Sequence, residues 1–223
     1  MDARYLRNIP ALTEAECTLL RTKKVLVVGC GGLGGHIIDQ LLRIGVGSIR
    51  AVDGDTFDAS NLNRQLLSDM SKLGTAKAQA AAHWAAAVNP DVALEAVETF
   101  LTVENARELV SGCDIVMDAL DNIGSRKVLA AACEAENTPY VYGAIQGWVA
   151  QAAISLPGDK LIETLYPEGI SIGDKSVLSF TPAMCASLQV SLCIKYLTGH
   201  PVINKQIYYM DLLNQEFEII PMG

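Results

Sequence analysis

Two kinds of apolar pattern alternate along the first half of the chain. The segment KKVLVV is a short valine-rich run followed by glycines, which is typical of a buried strand in a parallel sheet. From Leu33 to Ile44 the apolar residues recur at helical spacing, and Gly45 follows the last of them. The segment SIRAVDGD then has the composition of a second strand. The chain therefore opens strand–helix–strand, with glycines at the first strand-to-helix turn.

Helices and strands keep alternating further along the chain. The patterns predict helices over 75–88, 102–110 and 125–135 and in AMCASLQVSLCIKYLTG, and strands in LEAVETF, CDIVMDAL, PYVYGAIQG, WVAQAAISL, QIYYMDLL and QEFEIIP. Alternation of this kind favours an α/β fold of the Rossmann-like, doubly wound type with a mostly parallel sheet. The last two strands predict an antiparallel pair at the C-terminal edge of that sheet.

The length of 223 residues fits one domain with its own hydrophobic core. The prediction divides this domain into an N-terminal helical arm (1–22), a nucleotide-binding core (23–156), an exposed loop (157–182) and a C-terminal helix with strands (183–223). Within the arm, Thr13 and Glu16 form a capping-box pattern. The loop is rich in Pro, Gly, Ser and charged residues, and long loops in compact domains are usually functional.

Composition and charge disfavour several classes of protein. The formal net charge is −8, whereas a face that binds nucleic acid needs a surplus of Lys and Arg. No apolar run reaches the length of a membrane span, and the N-terminus MDARYLRNIP lacks the apolar core of a signal peptide. We therefore expect a soluble cytoplasmic protein that binds neither nucleic acid nor membrane. Six cysteines at irregular spacing, with no CxxC pair, predict neither a disulfide framework nor a structural zinc site.

The glycines after the first strand carry the clearest chemical signal. Gly29, Gly31 and Gly34 fit the pattern GxGxxG, with Gly32 between them, at a strand-to-helix turn. In this pattern the first glycine permits the tight turn, the second lets the backbone approach a phosphate, and the helix N-terminus faces the negative charge. Asp53 lies 19 residues after Gly34, where a ribose-binding acid is expected. These residues predict a nucleotide site and leave NAD and ATP both open.

Charged residues beyond the second strand favour ATP over NAD. Arg64 and Lys77 provide cations, and Asp121 stands at the end of the strand CDIVMDAL. A hydride-transfer site needs a flat, mostly apolar nicotinamide pocket and has no evident use for these groups. Phosphoryl or adenylyl transfer needs cations that neutralise charge on the phosphates and a carboxylate that holds Mg²⁺. Each residue alone fits a surface cation, a turn residue or a solvated helix position equally well, but together they favour nucleotidyl transfer.

At this point the sequence resembles a known family, the MoeB/ThiF/HesA adenylyltransferases, which are similar to ubiquitin-activating enzymes. The resemblance covers Arg4 to about Leu213 and rests on the motifs RYLRN, VLVVGCGGLGG, VDGDTFDASNLNRQ, GTAKAQAA, DALDN with Arg126, and PAMCASLQVSLCIKYLTG. It implies Mg-ATP-dependent adenylation of the C-terminal Gly-Gly carboxylate of a small ubiquitin-like sulfur-carrier protein, with release of pyrophosphate. Carriers of the thiamin, molybdenum-cofactor and tungsten-cofactor types all remain open.

The resemblance also implies a role for each matching residue. Asp53 would bind the ribose hydroxyls, and Asp121 would hold or organise Mg²⁺. Arg64 and Lys77 would contact the phosphates and stabilise charge in the transition state. Arg7, in RYLRN, matches a catalytic arginine that family members lend to the active site of the partner subunit, which implies a homodimer. The other residues expected to line the nucleotide site are Asp55, Asn61, Gln65 and Asn122.

Three departures from the family pattern narrow these expectations. Many members bind zinc with two CxxC pairs, but residues 161–164 read LIET and the second pair is absent too, so we expect no zinc. Several members carry a reactive cysteine in the crossover loop, which corresponds to 157–182 here and contains none. The nearest cysteine, Cys185, lies in an apolar helix, where a role in core packing is favoured. Without a reactive cysteine, the enzyme is expected to stop at the adenylate and to form no thioester. The third departure is the expected absence of a rhodanese-like C-terminal domain, in which case sulfur would come from a separate donor protein.

Three other interpretations stay open. A NAD-dependent oxidoreductase shares the glycine loop and Asp53, but it does not account for NLNRQ, Lys77 and DALDN together. A tRNA threonylcarbamoyladenosine dehydratase-like enzyme shares an NLNRQ-like motif, although the acidic composition counts against tRNA. A non-catalytic scaffold of the same family is disfavoured by the intact Arg64, Lys77 and Asp121.

Overall fold

Eight strands, seven α-helices and three short 3-10 helices make up the regular structure of the described residues. The computed structural model describes residues 2–170, 173 and 176–222. The strands are β1 (Lys24–Val28), β2 (Ser48–Val52), β3 (Ala93–Val97), β4 (Ile115–Asp118), β5 (Tyr140–Gln146), β6 (Val149–Ser155), β7 (Gln206–Asp211) and β8 (Glu216–Pro221). The helices are α1 (Glu14–Leu20), α2 (Gly32–Ile44), α3 (Lys77–Val88), α4 (Ala106–Val110), α5 (Ile123–Ala135), α6 (Leu161–Leu165) and α7 (Phe180–Leu197).

All eight strands form one sheet with the order β3-β2-β1-β4-β5-β6-β7-β8. The pairs from β3 to β5 are parallel, and those from β5 to β8 are antiparallel. The chain starts at the centre with β1, moves outward to β3, and then returns to the other side of β1 with β4. This reversal is a topological switch point, and in open α/β sheets ligands bind at the carboxyl ends of the strands beside it. The structure confirms the predicted doubly wound sheet with antiparallel C-terminal strands.

Helices cover both faces of the sheet because each central strand is buried on both sides. In β1, Val25 and Val27 belong to an apolar cluster with α2, α3 and α7, whereas Leu26 and Val28 belong to a second cluster with α4, α5 and α6. This alternation follows from the two-residue period of a strand. It explains why β1 reads as a continuous valine-rich run rather than as alternating apolar and polar residues.

Local signals in the sequence mark several helix ends correctly. Thr13 caps α1, and its capping box with Glu16 is present in both directions. Gly45 ends α2 in the left-handed conformation with φ of +87°, which glycine adopts without steric cost. The terminal hairpin of β7 and β8 is confirmed as an antiparallel pair.

The prediction of an irregular loop over 157–182 is only partly correct. Residues 161–165 form helix α6, whose Leu161 and Ile162 are buried, and α7 begins at Phe180. The segment LIET is too short to show helical periodicity on its own, and burial against α5 stabilises it. Four residues of the predicted loop, 171, 172, 174 and 175, lie outside the described residues. Within the described part of the chain, no helix combines the length and hydropathy needed to cross a bilayer.

Candidate active site

A cavity of about 760 Å³ opens at the carboxyl ends of the strands around the switch point. Its volume lies within the range of about 300–1,000 Å³ that is usual for ligand pockets. One half lies over β1, β2 and the segment after β3, and the other half lies over β5 and β6. Ten residues that the sequence predicted for the site line this cavity, namely Gly29, Gly31, Gly32, Asp53, Asp55, Arg64, Gln65, Lys77, Asp121 and Asn122. Gly34, Asn61 and Arg7 do not line it.

The glycine loop forms the floor of the first half of the cavity. Gly29 has a φ of +97°, and a Cβ at this position would lie 2.5 Å from the carbonyl oxygen of Ala119. Helix α2 then starts at Gly32, and its N-cap residue Gly31 has no side chain to cap the first turn. The first N–H groups of a helix lack intrahelical partners and carry partial positive charge. The loop is therefore suited to bind a phosphate group.

Asp53 ties the glycine loop to the end of β2. One carboxylate oxygen accepts a hydrogen bond from the N–H of Cys30 at 2.7 Å, and the other accepts one from the N–H of Asp55 at 2.8 Å. An ionised carboxylate has about four acceptor sites, so two remain for ligand hydroxyls. Asp53 thus holds the loop in shape and still offers acceptors to a ligand in the cavity.

Lys77 and Asp55 form an ion pair at the wall of the cavity. The Lys77 Nζ lies 2.6 Å from the Asp55 carboxylate, and Lys77 is only 7% exposed. The hydrogen bond from Lys77 lowers the pKa of the Asp55 carboxyl below its ordinary value. Lys77 stands at the first turn of α3, so its ammonium group is held at a fixed position beside the half of the cavity that lies over β1 and β2.

Arg64 and Gln65 lie against the glycine loop. The Arg64 Nη1 donates to the carbonyl of Ser60 at 2.9 Å and to Oδ1 of Asn63 at 2.8 Å, which orients the guanidinium. The Oε1 of Gln65 is buried and has no hydrogen-bond partner within the described part of the chain. A buried acceptor without a partner is unusual in a folded protein, and Gln65 lines the cavity, so a ligand donor would satisfy it.

Two predicted residues support the site from outside the cavity. Asn61 is buried and closes a capping box with Asp58, and its carbonyl accepts the N–H groups of Arg64 and Gln65 at 3.1 and 3.0 Å. It therefore holds the turn that presents Arg64 and Gln65. Gly34 packs α2 against β1, because a Cβ there would lie 1.8 Å from the carbonyl oxygen of Gly29.

Asp121 and Asn122 lie in the loop between β4 and α5. Asp121 is exposed at the cavity, and it accepts a hydrogen bond from Nδ2 of Asn122 at 3.3 Å. Asn122 also caps α5 by accepting the N–H of Ser125, so it acts as a helix cap as well as a lining residue. The carboxylate of Asp121 therefore keeps free acceptor sites that face the cavity.

These side chains would suit a Mg²⁺ ion that is bound together with a phosphate-bearing ligand. No group of three or more His, Cys, Asp or Glu side chains among the described residues is placed to hold a metal by itself. Mg²⁺ commonly keeps several waters and binds through one or two carboxylates together with substrate phosphates. Asp121 would hold such an ion, since it is an exposed carboxylate that lines the same cavity as the glycine loop.

The sequence did not single out four further lining residues, Phe100, Arg126, Tyr142 and Tyr166, as site residues. Phe100 follows β3, so its position at a strand end was a usable signal. Tyr142 and Tyr166 join their hydroxyls at 2.7 Å, and the Arg126 guanidinium lies 5.0 Å from the Tyr142 ring centre. Nothing in the local sequence predicts these contacts, since they join residues from α5, β5 and the segment after α6.

The N-terminal arm docks at the end of the molecule opposite the cavity. Tyr5 is buried, packs on Gly45 at the end of α2, and its hydroxyl accepts a hydrogen bond from Asn89 at the end of α3. Both helices begin at the cavity and are about 20 Å long at 1.5 Å per residue. Arg7, two residues after Tyr5 in a 3-10 helix over Ala3–Asn8, is exposed and lies far from the cavity of its own chain.

The cysteines of the chain are core residues. All six are free and buried, and Cys185 is fully buried inside α7. Burial raises the pKa of the Cys185 thiol to about 12. A protonated, inaccessible thiol is not a nucleophile at neutral pH, so the expected packing role of Cys185 agrees with the structure.

The chain is similar in sequence to the proteins of one known family. A family model described as the ThiF family matches residues 4–223. The SAMP-activating enzyme E1 of Haloferax volcanii is 34% identical over 209 residues, which cover 91% of this chain and 77% of that protein. The sulfur carrier protein adenylyltransferase of Thermus thermophilus is 34% identical over 192 residues, which cover 81% and 71%. The probable adenylyltransferase/sulfurtransferase MoeZ of Mycobacterium tuberculosis is 34% identical over 210 residues but longer, and the chain spans 54% of its length.

Solved structures share the fold at lower sequence identity. The crystal structure of E. coli MccB with ATP matches with a TM-score of 0.88 at 20% identity, covering 100% of this chain and 72% of that one. At this identity the match shows the Rossmann-like fold alone.

Proposed function

The chain belongs to the ThiF family, and from this premise we propose that it is an ATP-dependent adenylyltransferase of a small ubiquitin-like carrier protein. The proposed substrate group is the C-terminal carboxylate of a carrier that ends in Gly-Gly. Two relatives support this reaction class, since one is named a SAMP-activating enzyme and the other a sulfur carrier protein adenylyltransferase. The finer assignment to a sulfur carrier is part of the proposal.

The convergence of cations and helix N–H groups on one cavity carries the proposal. Lys77, Arg64 and the uncapped start of α2 all border the half of the cavity that lies over β1 and β2. Three sources of positive potential suit a triphosphate far better than a nicotinamide, which is flat and needs an apolar surface. Phe100 and Leu101 provide apolar surface at the outer end of the same half, where a purine base would lie.

The other half of the cavity has room for an acyl substrate beside the nucleotide. It is lined by Tyr142, Ala144, Gln146, Gln151 and Tyr166, which are neutral and combine small with hydrogen-bonding side chains. Amide and phenol groups can pair with the backbone of an extended peptide, and the small Ala144 leaves space for residues without side chains. An extended tail ending in glycines fits this lining.

In the proposed reaction, a carboxylate oxygen of the carrier attacks the α-phosphorus of ATP. The bond from that phosphorus to the pyrophosphate oxygen breaks, which gives a carrier acyl-adenylate and pyrophosphate. Arg64 and Lys77 offset the negative charge that grows on the phosphates, and Asp53 orients the ribose. When bound at Asp121, Mg²⁺ would neutralise further phosphate charge as a Lewis acid. The buried cysteines support a reaction that stops at the adenylate, with a separate sulfur donor.

ATP–pyrophosphate exchange tests this function. Exchange should require Mg²⁺ and a carrier with an intact Gly-Gly end, and the same carrier without its last glycine is the control. Thermal protection by Mg-ATP and by NAD, measured in parallel, addresses the oxidoreductase alternative. Protection by NAD alone, without exchange on any carrier, would favour an oxidoreductase, whereas exchange with no carrier requirement would reject the carrier as substrate.

We also propose that the enzyme is a homodimer in which Arg7 serves the active site of the partner. The docked arm supports this, because Tyr5 and Asn89 hold Arg7 at the end of α2 and α3 away from its own cavity. Co-expression of Arg7→Ala and Asp121→Ala subunits should restore exchange, since one site of each mixed dimer would receive an intact Arg7 and Asp121. No recovery in verified mixed dimers would assign Arg7 to its own subunit or to structure.

A further inference from the structure

A buried polar cluster joins the carboxyl end of β4 to its neighbours beneath the cavity. Asp118 and Gln189 are fully buried and Arg126 is 3% exposed, in surroundings that are otherwise apolar. Arg126 Nε has no hydrogen-bond partner within the described part of the chain, which adds to the cost of burial. Buried ion pairs are often no more stabilising than apolar residues of the same volume. Stability alone is therefore a weak reason for this cluster.

Arg126 connects three separate segments with one side chain. Its Nη1 donates to the Asp118 carboxylate at 2.8 Å and to the carbonyl of Gly143 in β5 at 2.8 Å. Its Nη2 donates to the carbonyl of Leu120, in the loop after β4. The Asp118 carboxylate also accepts the N–H of Leu120 at 2.8 Å and the hydroxyl of Tyr140. The start of the loop after β4 is therefore held to both β4 and β5.

Gln189 holds the same strand end from the opposite face of the sheet. Its Nε2 donates to the backbone carbonyl of Asp118 at 2.8 Å and to that of Val141 at 3.3 Å. The side chain fits over Gly143, where a Cβ would lie 2.2 Å from the Gln189 Cδ. The planar guanidinium and the amide thus fix the end of β4 from two sides.

The loop that this cluster holds is the one that carries Asp121. Leu120 is bound through both its N–H and its carbonyl, and Asp121 follows directly. Asp121 itself is exposed and its described hydrogen bond, from Asn122, is long at 3.3 Å. The position of the Asp121 carboxylate therefore depends on the backbone that Arg126 holds.

We propose that Arg126 is a positioning residue that holds the Ala119–Asn122 loop so that the Asp121 carboxylate faces the phosphates of ATP. This inference rests on the proposed adenylation function and assigns Arg126 no contact with the reacting atoms. Residues that orient a metal-binding group typically change metal affinity or activity by about 10- to 100-fold when mutated. Mutation of Arg126 should therefore weaken the part of the nucleotide affinity that depends on Mg²⁺. The contacts of the nucleotide with the half of the cavity over β1 and β2 should stay unchanged.

Calorimetric titration of a non-hydrolysable ATP analogue, with and without Mg²⁺, tests the inference in Arg126→Lys. Lysine keeps the positive charge beside Asp118 but lacks the planar fork that reaches Gly143 and Leu120 together. We expect affinity without Mg²⁺ to stay near wild type, and the gain on adding Mg²⁺ to fall by about tenfold or more. Lys23→Met is the matched control, because it breaks the Lys23–Asp114 ion pair at the opposite end of β4. The control should keep the full gain.

A second variant covers the case in which Arg126→Lys does not fold. Gln189→Met keeps the volume above Gly143 and removes both hydrogen bonds from the amide nitrogen. It should therefore also reduce the gain in affinity on adding Mg²⁺, by a smaller factor than Arg126→Lys, and leave the affinity without Mg²⁺ unchanged. The inference would be overturned, and the proposed function left intact, if both folded variants showed the same increase in affinity on adding Mg²⁺ as the wild type. Equal losses with and without Mg²⁺ would assign the cluster a purely structural role and also overturn it. Absence of Mg²⁺-dependent binding in the wild type would instead reject the proposed function.

Discussion

Replacement of Gly34 by alanine tests whether this glycine is needed for packing rather than for contact with a ligand. A Cβ at position 34 would lie 1.8 Å from the oxygen and 2.7 Å from the carbon of the Gly29 carbonyl. Both atoms belong to the backbone at the end of β1, so relief of the overlap requires α2 or the strand end to move. Movement of Gly29 would also distort the proposed phosphate-binding loop.

Gly35→Ala is a closely matched control for this substitution. Both positions lie in α2, so both gain about 1 kcal/mol in helix propensity when glycine becomes alanine. The tightest contact of a Cβ at residue 35 would be Cγ of the Leu67 side chain, at 3.3 Å, and a side chain can move by a few tenths of an ångström. The next atoms, Cβ of Leu66 and the backbone nitrogen of Leu67, would both lie at an ordinary contact distance of 3.6 Å. The gain in helix propensity is the same in both variants, so it cancels when their free energies of unfolding are compared. Gly34→Ala should then be less stable than Gly35→Ala by the cost of overpacking, which is about 1–3 kcal/mol or more. For a protein of this size that corresponds to a Tm lower by about 2–12 °C than that of Gly35→Ala.

Urea and thermal unfolding of the two variants, followed by circular dichroism, measure this difference. Thermal protection by Mg-ATP should also be weaker in Gly34→Ala than in Gly35→Ala, because only the former displaces the Gly29 carbonyl. Equal unfolding midpoints would show that the strand end accommodates a Cβ without cost, and the packing explanation of Gly34 would then be wrong. A loss of ATP protection at unchanged stability would instead point to direct contact between ligand and Gly34.

Three further predictions concern single side chains. Asp121→Ala should abolish ATP–pyrophosphate exchange with a Tm close to wild type, because the residue is exposed; full activity in this variant would remove Asp121 from Mg²⁺ binding. Lys77→Met should raise the pKa of Asp55 towards its ordinary value of 3.8, as followed by NMR titration, and an unchanged pKa would contradict the ion pair. The ion pair lowers the pKa of Asp55 in the folded protein, so it stabilises the wild type at pH values above 3.8. This stabilisation is lost as the pH falls below 3.8 and through the lowered pKa, and Lys77→Met should lose less stability over the same pH range. Cys185 should react with a thiol reagent only after unfolding, and rapid labelling of the native protein would contradict its burial.

Local sequence patterns determined the architecture of this protein. The valine-rich run of β1, the helical spacing of α2 and the turn at Gly29 are short-range features, and each depends on neighbouring residues only. Because strand and helix periods are set by backbone geometry, alternation of the two indicated a doubly wound sheet without any tertiary information. The same applies to Asp53, since its distance from the glycine loop along the chain follows from one helix and one strand.

Tertiary structure alone decided how the remaining residues divide their roles. Asn61 and Gly34 belong to the expected motifs, yet they support the site from beneath the cavity, because contacts with Asp58 and with Gly29 occupy them. Arg126 and Gln189 come from helices on opposite faces of the sheet and meet at β4 and β5, and no spacing in the sequence encodes such a meeting. Long-range contacts depend on how faces pack rather than on residue order, which is why the sequence predicted the glycine turn after β1 but not the cluster that holds the loop of Asp121.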